Sequence, residues 1–161
     1  MHDNAAALLR VLAATLVGRA AISLGTISAV NVKALLAGLD ITSSLIVASG
    51  NDSLIRKLSA EAPEDLRFAV HVQSLAEFLD DIAAHRFGLA LVTEEGLPLV
   101  SRALDMLEVG GIIIGLGRVG CFPEDPRFES VALDVDGLCW LATRRQNVRP
   151  TRRRRAPKPH A

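Results

Sequence analysis

Three consecutive isoleucines, Ile112, Ile113 and Ile114, stand between Gly110-Gly111 and Gly115-Leu116-Gly117. An apolar run with no polar alternation suits a strand buried on both faces, the condition of a parallel sheet covered on each side. Just upstream, Leu104, Met106 and Leu107 lie on one helical face. The stretch 103–117 therefore reads as a helix packed on a sheet, stopped by a left-handed glycine at Gly110-Gly111, and followed by the sheet's central strand.

The rest of the chain repeats that alternation. A helix over Ala5–Val17 has Asp3 or Asn4 near its N-cap and Gly18 at its end. A strand at 20–24 is followed by a helix from about Ser28 to Ala37, closed by Gly38. A strand at 44–48 precedes a helix capped by Asn51 or Asp52, with Leu54, Ile55 and Leu58 facing inward. Residues 67–72 form a third strand. Ser74 and Glu77 have the spacing of a capping box, in which hydroxyl and carboxylate each satisfy a backbone N–H at the helix start. That helix runs to about Ala84, and Phe87–Thr93 is the fourth strand. Pro98 suits the first turn of the next helix. After an irregular stretch, 118–127, two strands over 129–135 and 138–143 flank Asp136-Gly137. Asp-Gly between apolar strands is a strong hairpin signal, because both turn residues favour positive φ. An unbroken hairpin register puts Val131, Leu133, Val135, Leu138 and the lone tryptophan, Trp140, on one core-facing side. The expected fold is a doubly wound, mostly parallel α/β sheet, Rossmann-like and ending in an antiparallel hairpin.

Charge divides the chain in two. Net charge is zero over 161 residues, yet residues 1–143 hold 10 basic and all 18 acidic residues. The other eight basic residues lie in 144–161, including Arg152, Arg153, Arg154 and Arg155. One domain over 1–143 and a disordered basic tail over 144–161 are the expected organisation. The two cysteines make neither a disulfide framework nor a metal spacing, which fits a reduced, cytoplasmic setting. The apolar stretch Ala5–Val17 is interrupted by Arg10 and too short to span a bilayer.

Five β-α units closed by a hairpin resemble the class I S-adenosylmethionine-dependent methyltransferases, in particular the catechol and caffeoyl-coenzyme A type O-methyltransferases. The resemblance covers about Leu8 to Thr143 and is carried by 21–29, 107–114 and 135–138. It implies a cofactor loop of the form acid-x-Gly-x-Gly-x-Gly after the first strand. Here Ser23 replaces the acid, Gly25 remains, and Ile27 and Ala29 replace the later glycines. A β-branched Ile27 is expected to intrude where the cofactor lies. Ala48 stands where the family has an acid for the ribose hydroxyls. The metal-binding acids and amide of the family fall on Thr93, Leu116 and Gly117. Losing two hydrogen bonds to charged groups removes roughly 3–6 kcal/mol, enough to move a micromolar dissociation constant to about millimolar or weaker. The family's helix between strands five and six is also missing.

Other candidates weigh less. Glu94-Glu95 follows the fourth strand, at the edge where such sheets form sites. It reads as a solvated loop against a relocated metal or base site. His71, His85 and Cys121 have no partners at ligand or catalytic spacing. Gly115-x-Gly117-x-x-Gly120 has a dinucleotide-loop spacing but precedes no helix. The arginine cluster, which lacks interleaved aromatics, reads either as a solubilising tail or as a contact to nucleic acid, an anionic surface or an acidic protein. Three readings follow. The first is a catalytically degenerate methyltransferase-like protein acting as a binding or regulatory subunit, with no bound cofactor expected and a protein partner or homo-oligomer implied. The second is an active O-methyltransferase that retains S-adenosylmethionine in an altered loop. The third is a tail-driven nucleic-acid or surface binder.

Overall fold

The computed structural model describes residues 3–146. Its elements in order are α1 (Asp3–Ala13), β1 (Ala20–Leu24), α2 (Ala29–Gly38), β2 (Ser44–Ser49), α3 (Asp52–Glu61), β3 (Phe68–Val72) and α4 (Leu75–Asp81). They continue with β4 (Phe87–Val92), a short 3-10 turn at Leu97–Leu99, α5 (Val100–Met106), β5 (Leu107–Leu116), β6 (Phe128–Val135) and β7 (Leu138–Arg144). The seven strands form one sheet in the order β3-β2-β1-β4-β5-β7-β6. β1 to β5 are parallel and β7 runs antiparallel to both its neighbours.

Local chemistry explains the helix starts. Ser28, Asn51 and Ser74 each cap a helix by accepting a backbone N–H, from Asn31, Leu54 and Glu77 respectively. The buried β4, with every residue inaccessible, is the double-covered strand expected of a parallel sheet. On one face Leu9, Val32, Leu35 and Ile55 from α1, α2 and α3 pack on Leu45, Val47, Leu89 and Ile114. On the other, Phe78 and Leu79 of α4 and Leu104 of α5 pack on Ile22, Ala90, Ile113 and Trp140.

Several local expectations are corrected. Leu54 is 45% exposed, so α3 turns only Ile55 and Leu58 inward. α4 stops at Asp81, short of Ala84. α5 ends at Met106 rather than at Gly110, because Leu107 is already extended and pairs with Phe87. Gly110, at φ +77, instead sits in a bulge between the pairs Phe87–Leu107 and Leu89–Ile112. Gly38 is a helical residue chosen for close approach, not a left-handed stop. A Cβ there would lie 2.1 Å from the carbonyl oxygen of Arg10, where α2 crosses α1.

The hairpin departs most. Val135 pairs with Leu138 across Asp136-Gly137, as expected. Only Gly137 has positive φ. Beyond it the register shifts: Trp140 faces Ala132 and Leu141 faces Val131. Here the extra residue is on β6, where Leu133 and Asp134 stand opposite Cys139, whereas against β5 it is on β7, since Leu116 pairs with Leu138 and Gly115 with Trp140. Cys139 is thus an extra residue, and Leu138 and Trp140 point to opposite faces. Trp140 is buried, 2% exposed, on the α4–α5 side, against Phe122 in an edge-on arrangement at 5.1 Å. Val131 lies on the opposite side and is 54% exposed. On the tryptophan's own face Val119, Phe122 and Phe128 from 118–128 cover the sheet.

β7 extends to Arg144, and the Arg145 N–H bonds the Arg127 carbonyl, so the ordered fold reaches slightly past Thr143. The arginine cluster at 152–155 lies outside the described residues. Among the described residues, no helix is long and apolar enough to cross a membrane.

Candidate functional site

A doubly wound sheet opens a crevice where strand order reverses, outside the carboxyl ends of its strands. Here the reversal lies between β1 and β4. A cleft of about 940 Å³ occurs there, lined by the loop after β1 (Thr26, Ile27, Ser28), by Gly50 to Asp52 after β2, and by Thr93 to Glu95 after β4. Leu116, Gly117 and Gly137 close its far side, and Asn31 and Leu54 reach it from α2 and α3.

The cleft has three carboxylates at its lining, Asp52, Glu94 and Glu95, and no cationic side chain. Asp52 pairs with Arg56 one helical turn on, at 2.8 Å. Glu94 accepts the Arg118 N–H at 3.2 Å. Glu95 is more deeply engaged: one oxygen accepts the Ser49 hydroxyl at 2.6 Å and the other the Gly50 N–H at 2.7 Å. Both glutamates are solvent-exposed, as the loop reading expects, yet each is also anchored by a hydrogen bond to the fold. Among the described residues no cluster of three or more His, Cys, Asp or Glu able to hold a metal ion occurs.

The positions compared with the cofactor loop behave differently from one another. Ser23 is fully buried and donates its hydroxyl to the Gly25 carbonyl at 2.8 Å, so it stabilises the turn from within. Gly25 has φ +104, a conformation that favours glycine. A Cβ on it would lie 1.8 Å from Thr93 Oγ1. Thr93 leans over β1's end and donates to the Leu24 carbonyl at 3.0 Å. Ile27 is only 5% exposed and packs against the core beneath α2 while still contributing to the cleft wall. Its neighbour Thr26 lines the cleft, and its hydroxyl is buried without a partner. Ala29 opens α2 and faces a shallower depression beside Lys57 and Glu61. Ala48 is buried in the core on the α4 side and does not line the cleft. Ser49 and Gly50 form β2's functional end instead, and they are donors where the family has an acceptor. Thr93, Leu116 and Gly117 do converge on the cleft, as their alignment implies.

The contacts that bear on S-adenosylmethionine lie at the ends of β1 and β2. Thr93 takes the space that a Cβ on Gly25 would fill, and Glu95 engages the Ser49 hydroxyl and the Gly50 N–H at the end of β2. Sequence reasoning located the cleft through its loops and set Glu94-Glu95 at its edge, but saw Asn51 only as a helix cap and missed Ser49 and Asn31. The one signal was the placement of two glutamates directly after a buried strand.

No protein-family model matches the chain, and no curated protein is detectably similar to it in sequence. Solved structures do match. Rv0187 from MTB, solved with cofactor bound, is 17% identical with a TM-score of 0.71, covering 91% of this chain and 82% of that one. TomG, an O-methyltransferase of Streptomyces achromogenes involved in tomaymycin synthesis and solved with SAM, is 15% identical with a TM-score of 0.70 and the same coverage. The O-methyltransferase of Bacillus cereus, solved with SAH, is 16% identical with a TM-score of 0.69, covering 89% of this chain and 80% of that one. At these identities the likeness establishes architecture: the chain has the fold of the class I S-adenosylmethionine-dependent O-methyltransferases.

Proposed function

We propose that this protein is a catalytically degenerate member of the methyltransferase fold, acting as a binding or regulatory subunit rather than as a methyl-transfer enzyme. The observation that carries the reading is Thr93 seated on Gly25, with its hydroxyl on the Leu24 carbonyl. The close approach that a glycine loop offers a cofactor is used here for an internal contact. The acid positions of the family are also replaced by residues that serve the core, Ser23 and Ala48. Binding through protein contacts is supported by the sheet face opposite Trp140, where Val131 is half-exposed beside the partly buried Leu141. A reduced, cytoplasmic setting fits two unpaired cysteines, one of them exposed.

The second reading, an active O-methyltransferase, is favoured by one feature: a roomy cleft with three carboxylates and no cation at its wall suits a sulfonium-bearing ligand. A transfer assay with labelled methyl donor against catechols and other small phenols, paired with light scattering, separates the two. The proposal expects no turnover and a species larger than the monomer, or a stable complex with a co-purifying protein. Turnover by a monomer would overturn it.

A further inference from the structure

Glu95 is held by an unusually complete set of contacts for a loop carboxylate. Ser49 is fully buried, and its hydroxyl donates to Glu95 Oε2 at 2.6 Å while accepting the Asn51 N–H at 3.0 Å. Glu95 Oε1 takes the Gly50 N–H at 2.7 Å. Asn51 in turn caps α3 by accepting from Leu54 N, and the Ser49 carbonyl accepts the Gln73 N–H. A single carboxylate from the β4 loop thus ties the end of β2 and the start of α3 to the far side of the cleft. Both lone-pair faces are used, in short charge-assisted bonds.

Geometrically these donors constitute a carboxylate-recognition site: one buried hydroxyl and one backbone amide, converging on two oxygens of one group. We propose that Glu95 is an internal ligand of this site, occupying in cis the place that a small external carboxylate would take and latching the cleft across the switch point. Without Glu95 the Ser49 hydroxyl, on a fully buried residue, loses its acceptor, a costly state for a buried donor, and the exposed Gly50 amide is left to water. Gly96, next in the chain, shows why the latch is rigid. A Cβ there would lie 2.5 Å from the Leu24 carbonyl oxygen, so the loop is pressed onto β1. The inference stands whether or not the chain retains any affinity for S-adenosylmethionine.

The experiment uses the full chain and its Glu95→Ala variant, melted in increasing sodium formate with sodium chloride as the ionic-strength control. Glu95→Ala should melt at least about 3 °C below the parent, in line with the loss of one well-made interaction in a domain of this size. Formate should restore part of that loss in Glu95→Ala, leave the parent unmoved, and fail in Glu95→Ala combined with Ser49→Ala. A variant as stable as the parent, or formate acting equally on parent and variant, overturns the proposal. If Glu95→Ala does not fold, hydrogen exchange of the parent decides: the Gly50 amide should be protected at least tenfold over a solvent-exposed loop amide, and free exchange there overturns the latch.

Discussion

Replacing Gly115 with alanine should damage the fold through a single contact. Gly115 lies in β5, paired with Val92 of β4 on one side and Trp140 of β7 on the other, so its backbone cannot move without breaking two ladders. A Cβ there would stand 2.3 Å from Trp140 Cε2 and 2.7 Å from both Cζ2 and Nε1. The indole has nowhere to retreat, being 2% exposed and packed edge-on against Phe122. Overpacking of this kind costs about 1–3 kcal/mol, set against a gain of about 0.5–1 kcal/mol from replacing a strand glycine. The net loss is up to about 2.5 kcal/mol, and at about 2–4 °C per kcal/mol for a chain of this size the melting temperature should fall, by up to roughly 10 °C. Trp140 is the sole tryptophan, so its emission reports the same event. The parent should emit as a buried indole, and Gly115→Ala should shift that emission to the red. Leucine at 140 lacks all three clashing atoms. Gly115→Ala in a Trp140→Leu background should therefore cost nothing or stabilise, a coupling that a double-mutant cycle measures directly. An unchanged melting temperature and emission in Gly115→Ala would refute both the register of β7 and the burial of the indole.

Gly38→Ala should destabilise despite a helix-propensity gain of about 1 kcal/mol, because its Cβ would meet the Arg10 carbonyl oxygen at 2.1 Å; chemical denaturation should show a lower midpoint with an unchanged slope. The Asp65 carboxyl is held down to about 2 by its hydrogen bonds from the Arg67 guanidinium. A depressed folded value means that this contribution is complete above about pH 4 and is lost as pH falls toward 2. Asp65→Asn should accordingly flatten the acid side of the stability profile over that window, and an unchanged profile would remove Asp65 from the account. Any nucleic-acid or anionic-lipid binding should reside beyond Gln146, where six of the basic residues lie, and should weaken steeply with salt; equal binding by a chain ending at Gln146 would contradict this.

How much was legible in the sequence differs by element. The caps at Ser28, Asn51 and Ser74 and the unbroken run in β4 and β5 state their conformations locally, since each depends on hydrogen bonds or burial within a few residues. Cys139 does not. A bulge leaves no mark in a pattern read with period two, so the side on which Leu138 falls was misjudged while the burial of Trp140 was anticipated. Gly38 and Gly115 read as a turn signal and a loop signal, but both are sites of close approach between elements, visible only once those elements are packed. Glu95 stands in an exposed loop, as its context suggests, but its contact to Ser49 was invisible for the same reason. Its partner Ser49 lies 46 residues away and becomes a neighbour only through the strand order at the switch point.

The central claim is that the cleft has exchanged its cofactor contacts for internal ones, with Thr93 on Gly25 and Glu95 on Ser49 and Gly50. Isothermal calorimetry of the full chain with S-adenosylmethionine, and with S-adenosylhomocysteine in parallel, tests it most directly. The account predicts no saturable heat up to about millimolar ligand, the range left after losing about 3–6 kcal/mol of polar contacts. A saturable isotherm with a micromolar dissociation constant would contradict it.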